Sequence, residues 1–121
     1  MKLEDKYAHE QAMKTEIDAI AQFLQEVLGQ RLTAIIAGVS DWKTVGRWAR
    51  GQNKPRPDSD ARLREAYRIF HQLQAHDSPD VVRAWFVGAN PHLDDESPAV
   101  ALSEDRSKEV SAAARAFVDA G

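Results

Sequence analysis

Apolar residues recur at helical spacing through most of the chain. Between residues 10 and 28 they fall mostly three and four residues apart, which predicts a single amphipathic helix over this range. Its apolar positions are Ile17, Ile20, Leu24, Val27 and Leu28. Leu32, Ile35 and Ile36 predict a short second helix, which is followed by Gly38, a residue type that commonly terminates helices.

Two further helices are predicted on either side of a proline-containing segment. Ser40 or Asp41 can cap a third helix, since both side chains accept hydrogen bonds from free backbone N–H groups at a helix start. Residues 53–57 contain two prolines and cannot be regular helix. A fourth helix follows them, with Asp58 or Ser59 as its cap.

Two Ser-Pro pairs indicate helix starts in the last third of the chain. Ser78-Pro79 and Ser97-Pro98 each place a capping residue before a proline at the first helical position. A last helix is predicted from about Ser107. The sequence has no strand pattern and no internal repeat, so the predicted fold class is all-α.

The chain divides near residue 76, where the fourth helix ends and the charge turns acidic. We therefore predict an N-terminal helical domain over 1–76 and a C-terminal helical domain over 77–121. The second is too small to bury all its apolar faces alone. It is expected to pack on the first domain, on a second copy of the chain or on another protein.

The composition is that of a folded domain, with 121 residues, 43% of them hydrophobic and 29% charged. Cysteine is absent, which excludes disulfides, cysteine-ligated zinc and a thiol nucleophile, and fits a reducing compartment. The charged N-terminus has no apolar run behind it, and no stretch approaches the ~20 apolar residues of a membrane span. We expect a cytoplasmic protein with no signal peptide and no membrane partner.

The net charge of −3 conceals an uneven distribution. Residues 31–57, the basic window, contain six cationic side chains and a single acidic one, Asp41. The six are Arg31, Lys43, Arg47, Arg50, Lys54 and Arg56. Residues 1–30 and 77–121 are acidic. A concentrated positive region in an acidic chain indicates an anionic partner at one place.

The basic window has the pattern of a helix-turn-helix at about residues 29–57: a short apolar helix, a glycine-containing turn and a basic helix. Val45 and Trp48 would anchor the third helix, and the opposite face would reach the major groove. Gly46 would allow a close approach to DNA, and the loop cations would hold phosphates. The alternative is that these are solvated charges on an ordinary helical hairpin. The predicted DNA-binding residues are Trp42, Lys43, Thr44, Gly46, Arg47, Arg50, Asn53, Lys54 and Arg56.

The order of residues in this window resembles the Xre (Cro/repressor-like) helix-turn-helix. It reads Leu32…Ala37-Gly38-Val39-Ser40…Thr44-Val45…Arg47-Trp48-Ala49-Arg50-Gly51…Pro55. Three residues separate Ser40 from Thr44, where the family usually has two. Because the turn is one residue longer, the register of base contacts is not transferred from the family.

The C-terminal third resembles the toxin-binding domain of Xre/MbcA/ParS-type antitoxins. The matching residues are Trp85-Phe86-Val87-Gly88-Ala89-Asn90-Pro91-His92-Leu93, Ser97-Pro98-Ala99 and a final helix from Val110. Asp94-Asp95 replaces the Gly pair that the family usually has there. The predicted partner- or dimer-binding residues are Trp85, Phe86, Asn90, Pro91, Leu93, Phe117 and Val118. Of these, Trp85 and Phe86 are more typical of a core.

The two resemblances together imply a type II antitoxin with an Xre-like helix-turn-helix bundle and a helical toxin-binding and dimerisation module. Such a protein forms a homodimer, neutralises a RES-type toxin that degrades NAD, and represses its own operon by binding double-stranded operator DNA. The main alternative is a stand-alone chromosomal or phage regulator whose C-terminal module dimerises or binds another host protein. A third is a protein-binding inhibitor with a vestigial DNA-binding domain.

Nothing in the sequence favours an enzyme, a cofactor or a metal site. Asp94-Asp95-Glu96 is interpreted as acidic residues placed before a helix N-terminus, where they favour the helix dipole. His71 and His76 are five residues apart, a spacing that does not place them on one helix face as a metal pair. We therefore expect no catalytic residue, no metal ligand and no cofactor.

Overall fold

The computed structural model describes residues 3–121, apart from the side chains of residues 4, 5, 11, 13 and 14. This part of the chain is helical and contains no strand, which confirms the all-α prediction. Its α-helices are α1 Leu3–Lys14, α2 Ile17–Val27, α3 Gln30–Ala37, α4 Lys43–Ala49, α5 Pro57–Gln74, α6 Pro79–Val87, α7 Pro98–Ser103 and α8 Ser107–Ala120. A short 3-10 helix, Pro91–Leu93, lies between α6 and α7.

The prediction of one helix over 10–28 is wrong, because the chain breaks between α1 and α2. Glu16 has extended backbone angles, φ −64° and ψ 145°, which end the helical path. The strong amphipathic pattern belongs to α2 alone. Helix α1 packs on α5 and buries Ala8 and Ala12, and these small side chains give little hydrophobic signal.

The two Ser-Pro helix starts are confirmed. The Ser78 Oγ accepts a hydrogen bond from the backbone N–H of Val81 at 3.3 Å, and the Ser97 Oγ accepts one from Val100 at 3.2 Å. Each serine precedes a proline in the first turn, where the missing N–H costs nothing. These caps fix the starts of α6 and α7.

The predicted cap of the fourth helix, Asp58 or Ser59, is wrong by two or three residues. Helix α5 begins at Pro57, and Arg56 is the residue before it. Proline at the first helical position explains the earlier start. Ser59 instead lies in the first turn and donates a hydrogen bond to the carbonyl of Ala37 at 2.8 Å. The serine therefore ties α5 to the end of α3.

The buried apolar residues of α2 to α8 form one continuous core. Helix α5 lies at its centre and contacts α1, α2, α3, α6, α7 and α8. The rings of Phe70 on α5 and Phe86 on α6 stack with centroids 6.3 Å apart, across the predicted boundary near residue 76. Of the three expected ways to cover the C-terminal segment, the structure has the first, packing on the N-terminal domain. Helix α3 also packs directly against α7.

Candidate nucleic-acid interface

Helix α3 ends at a glycine in the left-handed conformation, which starts the turn to α4. Gly38 has φ +81°, and its N–H donates to the carbonyls of Ala34 and Ile35 at 3.0 and 3.1 Å. The N–H of Val39 also donates to Ala34, at 3.0 Å, so the free carbonyls at the helix end are satisfied. In the turn, the Asp41 Oδ1 accepts the N–H of Lys43, the first residue of α4, at 3.0 Å.

Helix α4 is anchored by the two residues that the sequence predicted. Val45 and Trp48 are buried in the core, and α4 packs mainly on α2. Trp42, Lys43 and Arg50 are exposed. Thr44 and Arg47 are half-buried, and the loop residues Asn53, Lys54 and Arg56 are exposed. The pattern of one buried and one exposed face on α4 is therefore confirmed.

The placement of Gly46 on the solvent face is wrong. Gly46 is buried, and a Cβ atom added to it would lie 2.9 Å from the Nε2 of Gln30 and 3.2 Å from the Nη1 of Arg50. The Gln30 side chain is held there by a hydrogen bond to the Oε1 of Gln25 at 3.0 Å. Gly46 thus makes room for side chains of its own fold. It is not available for an approach to DNA.

An exposed aromatic ring lies between two cations at the start of α4. The guanidinium of Arg31 on α3 is 5.5 Å from the centroid of the Trp42 ring, and the Nζ of Lys43 is 5.7 Å from it. Both distances allow a cation–π attraction. Arg31 was counted in the basic window but was not predicted as a site residue, and only its membership in that window pointed to it. Its position extends the exposed basic face of α4 onto α3.

The cations of the basic window differ from the paired arginines elsewhere. Arg47 lies 3.7 Å from Asp41 and 3.5 Å from the Thr44 Oγ1, but the other five make no ion pair with any residue that the structure describes. Outside the window, four arginines form ion pairs with acidic residues. These are Arg62, Arg64, Arg68 and Arg106. The unpaired cations give this surface a positive field that an anionic ligand can use.

A polar cleft of about 490 Å³ lies beside α4, between the turn and the loop that follows it. Its lining includes Ser40 and Thr44 on one side and Asn53, Lys54 and Arg56 on the other. Hydroxyl, amide and cationic donors therefore line one opening, together with the carboxylate of Asp58. Donors of these kinds hold phosphate oxygens in protein–DNA complexes.

The structure contradicts several of the predicted partner-binding residues. Phe86 and Leu93 are fully buried, and Trp85 is buried with its ring packed on Phe86 and Phe117. These side chains fill the core and present no surface to a partner. The aromatic pattern of a helix does not distinguish a core face from an interface, which explains the error. For Trp85 and Phe86, the core role is confirmed.

The other predicted partner-binding residues differ in their exposure to solvent. The Asn90 side chain accepts a hydrogen bond from the N–H of His92 at 2.9 Å and so caps the 3-10 helix. Pro91 is exposed. Phe117 and Val118 are half-buried and line a cavity of about 360 Å³ near the end of α8.

Helix α6 exposes two apolar side chains that the sequence did not single out. Val81 and Val87 are 42% and 54% exposed. They stand six residues apart on a helix whose other large apolar residues are buried, so the periodicity gave no reason to select them. Their exposure makes α6 a further candidate for partner contact.

The turn after the 3-10 helix places two consecutive aspartates, Asp94 and Asp95, in the left-handed conformation. Both residues have positive φ angles, 56° and 66°. Aspartate tolerates this left-handed conformation better than most residues, because its short side chain can bond locally. The backbone of this turn is therefore one that glycine would also adopt.

Comparison of the chain with protein families, with curated proteins and with solved structures found no match. Within residues 3–121, no helix is both long enough and apolar enough to cross a membrane. The same part of the chain holds no group of three or more His, Asp or Glu residues arranged to bind a metal ion.

Proposed function

We propose that the chain binds double-stranded DNA, with α4 in the major groove and the 53–56 loop against the phosphate backbone. The main observation in support of this proposal is that a series of contacts places the cations on one continuous surface. Arg31 and Lys43 meet at Trp42, Arg47 contacts Thr44, and Thr44 shares a cleft with the loop cations. We call this the basic surface; its members are Arg31, Trp42, Lys43, Thr44, Arg47, Lys54 and Arg56.

The dimensions and chemistry of the basic surface suit a duplex. An α-helix fits the major groove, where Arg and Lys side chains donate to guanine edges, and flanking cations hold phosphates. Two acidic regions flank the basic window in sequence. They reduce non-specific attraction to DNA, because like charges repel phosphate. Binding through this surface is therefore expected to depend on geometry as well as charge.

For the biological role, we propose a homodimeric type II antitoxin that represses its own operon and neutralises a RES-type toxin that degrades NAD. The support is the order of the two sequence resemblances, with a helix-turn-helix followed by the toxin-binding pattern. Phe117, Val118 and Pro91 are the candidate partner residues that remain accessible, and exposed Val87 joins them.

The second candidate is a stand-alone transcriptional regulator. It is favoured by the burial of Phe86 and Leu93, two of the predicted partner- or dimer-binding residues, which fill the core. In this case the C-terminal segment serves chiefly to complete the fold of the DNA-binding domain. Both candidates require DNA binding.

Selection from a random-sequence duplex pool tests the DNA-binding proposal. The purified chain is incubated with the pool at low salt, and retained duplexes are sequenced over several rounds. We expect one enriched motif; for a homodimer, we expect two half-sites about one helical turn apart. Failure to retain any duplex at low salt would refute DNA binding.

Co-expression with a RES-domain protein encoded next to this chain separates the two roles. The readouts are growth and cellular NAD in a bacterial host. An antitoxin restores both, and Val87→Asp is expected to weaken the rescue without reducing helicity. If the neighbouring reading frames encode no such protein, or the chain gives no rescue, the result contradicts the antitoxin role and supports the regulator.

A further inference from the structure

The carbonyl oxygen at the end of α3 accepts two hydrogen bonds from α5. The Oγ of Ser59 donates to the Ala37 oxygen at 2.8 Å, and the Nη1 of Arg62 donates to it at 3.0 Å. Ala37 is the last residue of α3 and directly precedes Gly38 in the turn to α4. Helix α5 therefore fixes the point at which the chain turns toward the basic surface.

The same arginine is held by a residue from the C-terminal segment. The Nε and Nη2 of Arg62 donate to the Oδ1 and Oδ2 of Asp105 at 2.9 and 3.0 Å, in a bidentate pair. Asp105 lies in the connection between α7 and α8, with φ 62°. The hydrogen bond between the two side chains lowers the pKa of Asp105 and raises that of Arg62. A bidentate pair fixes the plane of the guanidinium as well as its position.

The guanidinium lies directly against the turn. A Cβ atom built on Gly38 would be only 2.7 Å from the Nη1 of Arg62. The Arg62 side chain is 15% exposed, so it is enclosed by the elements that it joins. Its third nitrogen, Nη1, donates to Ala37 and lies 3.8 Å from the Oδ2 of Asp58, while the other two nitrogens donate to Asp105.

We propose that Arg62 is a positioning residue that makes the geometry of the α3–α4 turn depend on the α7–α8 connection through Asp105. The consequence for DNA affinity rests on the proposed function, but the effect on the turn does not. Helix α3 also packs directly on α7, so the turn and the C-terminal segment are in contact at a second place. A ligand of the C-terminal segment that displaces Asp105 releases the guanidinium and thereby lowers affinity for DNA.

Hydrogen exchange of the full-length chain tests the positioning step without any ligand. Asp105→Asn removes the charge, and asparagine tolerates the left-handed backbone at this position. We expect faster amide exchange at Gly38 and Val39, with no change in α2 or α8. Glu109→Gln is the matched control, since Glu109 pairs with Arg106 in its own segment at 2.6 Å. Unchanged exchange at the turn in Asp105→Asn would overturn the proposal.

A double-mutant cycle tests whether Arg62 and Asp105 act together. Lysine at position 62 keeps the charge but cannot bond both Asp105 and Ala37 with one planar group. Arg62→Lys, Asp105→Asn and the double variant are compared by exchange at the turn. If the residues act as one unit, the double variant exchanges no faster than the faster single variant. Additive effects would contradict the coupling.

The effect of Asp105 on DNA affinity is measured with a labelled duplex that the wild-type chain has enriched from a random-sequence pool. We expect Asp105→Asn to weaken its binding about fivefold, with Glu109→Gln equal to wild type. If the amides of Gly38 and Val39 exchange faster while affinity for the duplex is unchanged, the geometry of the turn does not control DNA binding. If the wild-type chain enriches no duplex, the proposed function fails, and the exchange data still decide whether Asp105 controls the turn.

Discussion

The guanidinium of Arg31 lies 5.5 Å from the centroid of the Trp42 ring, so a cation on α3 contacts the aromatic residue that precedes α4. The Nζ of Lys43 lies 5.7 Å from the same ring. Two cations, which repel each other, are thus both attracted to the same aromatic ring. This arrangement keeps both cations at one edge of the basic surface, where they are available to phosphates.

Replacing the shared ring should weaken DNA binding more than it weakens the fold. Trp42→Ala removes a contact that holds each cation by about 0.5–1 kcal/mol at an exposed site. Trp42 is 37% exposed and lies outside the apolar core, so we expect the free energy of unfolding to fall by about 1 kcal/mol. Fluorescence anisotropy with the enriched duplex and urea denaturation measure the two effects. Val87→Ala, at an exposed residue of α6, is the control. If Trp42→Ala binds the duplex as tightly as wild type and Val87→Ala do, Trp42 is not part of the DNA interface.

Arg47 in α4 and Arg50 directly after it should contact DNA. Arg47→Ala and Arg50→Ala are each expected to lower affinity by about 1–3 kcal/mol if they bind base edges. Lys108 on α8 is also exposed, so Lys108→Ala controls for the loss of one positive charge. Gel-shift titrations of all three variants provide the comparison. Wild-type affinity in both arginine variants would refute the assignment of α4 as the recognition helix.

The turn between α3 and α4 should be sensitive to a single methyl group. Gly38 has φ +81°, and its added Cβ would crowd Arg62, so Gly38→Ala is expected to reduce stability by about 1–2 kcal/mol. Gly88→Ala is the comparison, because Gly88 also follows a helix but has an ordinary φ of −80°. Its added Cβ would lie 3.3 Å from the Ala84 carbonyl oxygen, so we expect a smaller loss there. Urea denaturation of both variants measures the difference. An equal loss in both would show that the left-handed backbone of Gly38 contributes nothing.

Stability should also depend on the protonation of His71. Its imidazole stacks on Phe23 at 4.7 Å and contacts Tyr67 edge-on at 4.5 Å, and burial lowers its pKa. Because the unfolded chain binds this proton more readily, the contribution is complete above about pH 6.5 and is lost as the pH falls below it. We expect His71→Phe to reduce the loss of stability on acidification, while His76→Gln, on an exposed residue, behaves as wild type. Urea denaturation at neutral and mildly acidic pH tests this, and an unchanged pH dependence in His71→Phe would exclude His71 as the cause.

The sequence predicted those features that depend on nearby residues. The caps at Ser78 and Ser97 and the buried pair Val45 and Trp48 follow from local spacing, and the structure confirms them. The break before α2 was missed because alanines at the buried positions of α1 give no strong periodic signal.

Other errors and omissions concern contacts between residues far apart in the chain. Gly46 appeared exposed on a helical projection, but Gln30 from another helix covers it. Arg62 and Asp105 are separated by 43 positions, and neither stands out locally as a bonding partner. Periodicity predicts which helix face is buried, but it does not identify what covers that face.

The salt dependence of duplex binding tests the central claim most directly. If the basic surface holds phosphates, log affinity falls linearly with log salt concentration, by about 0.9 for each phosphate neutralised. The basic surface carries five cations, Arg31, Lys43, Arg47, Lys54 and Arg56, so we predict a slope of about −4 or steeper for wild type. Lys54→Ala should reduce the slope by about 1, and Lys108→Ala should leave it unchanged. A flat response between low and physiological salt would contradict DNA binding through this surface.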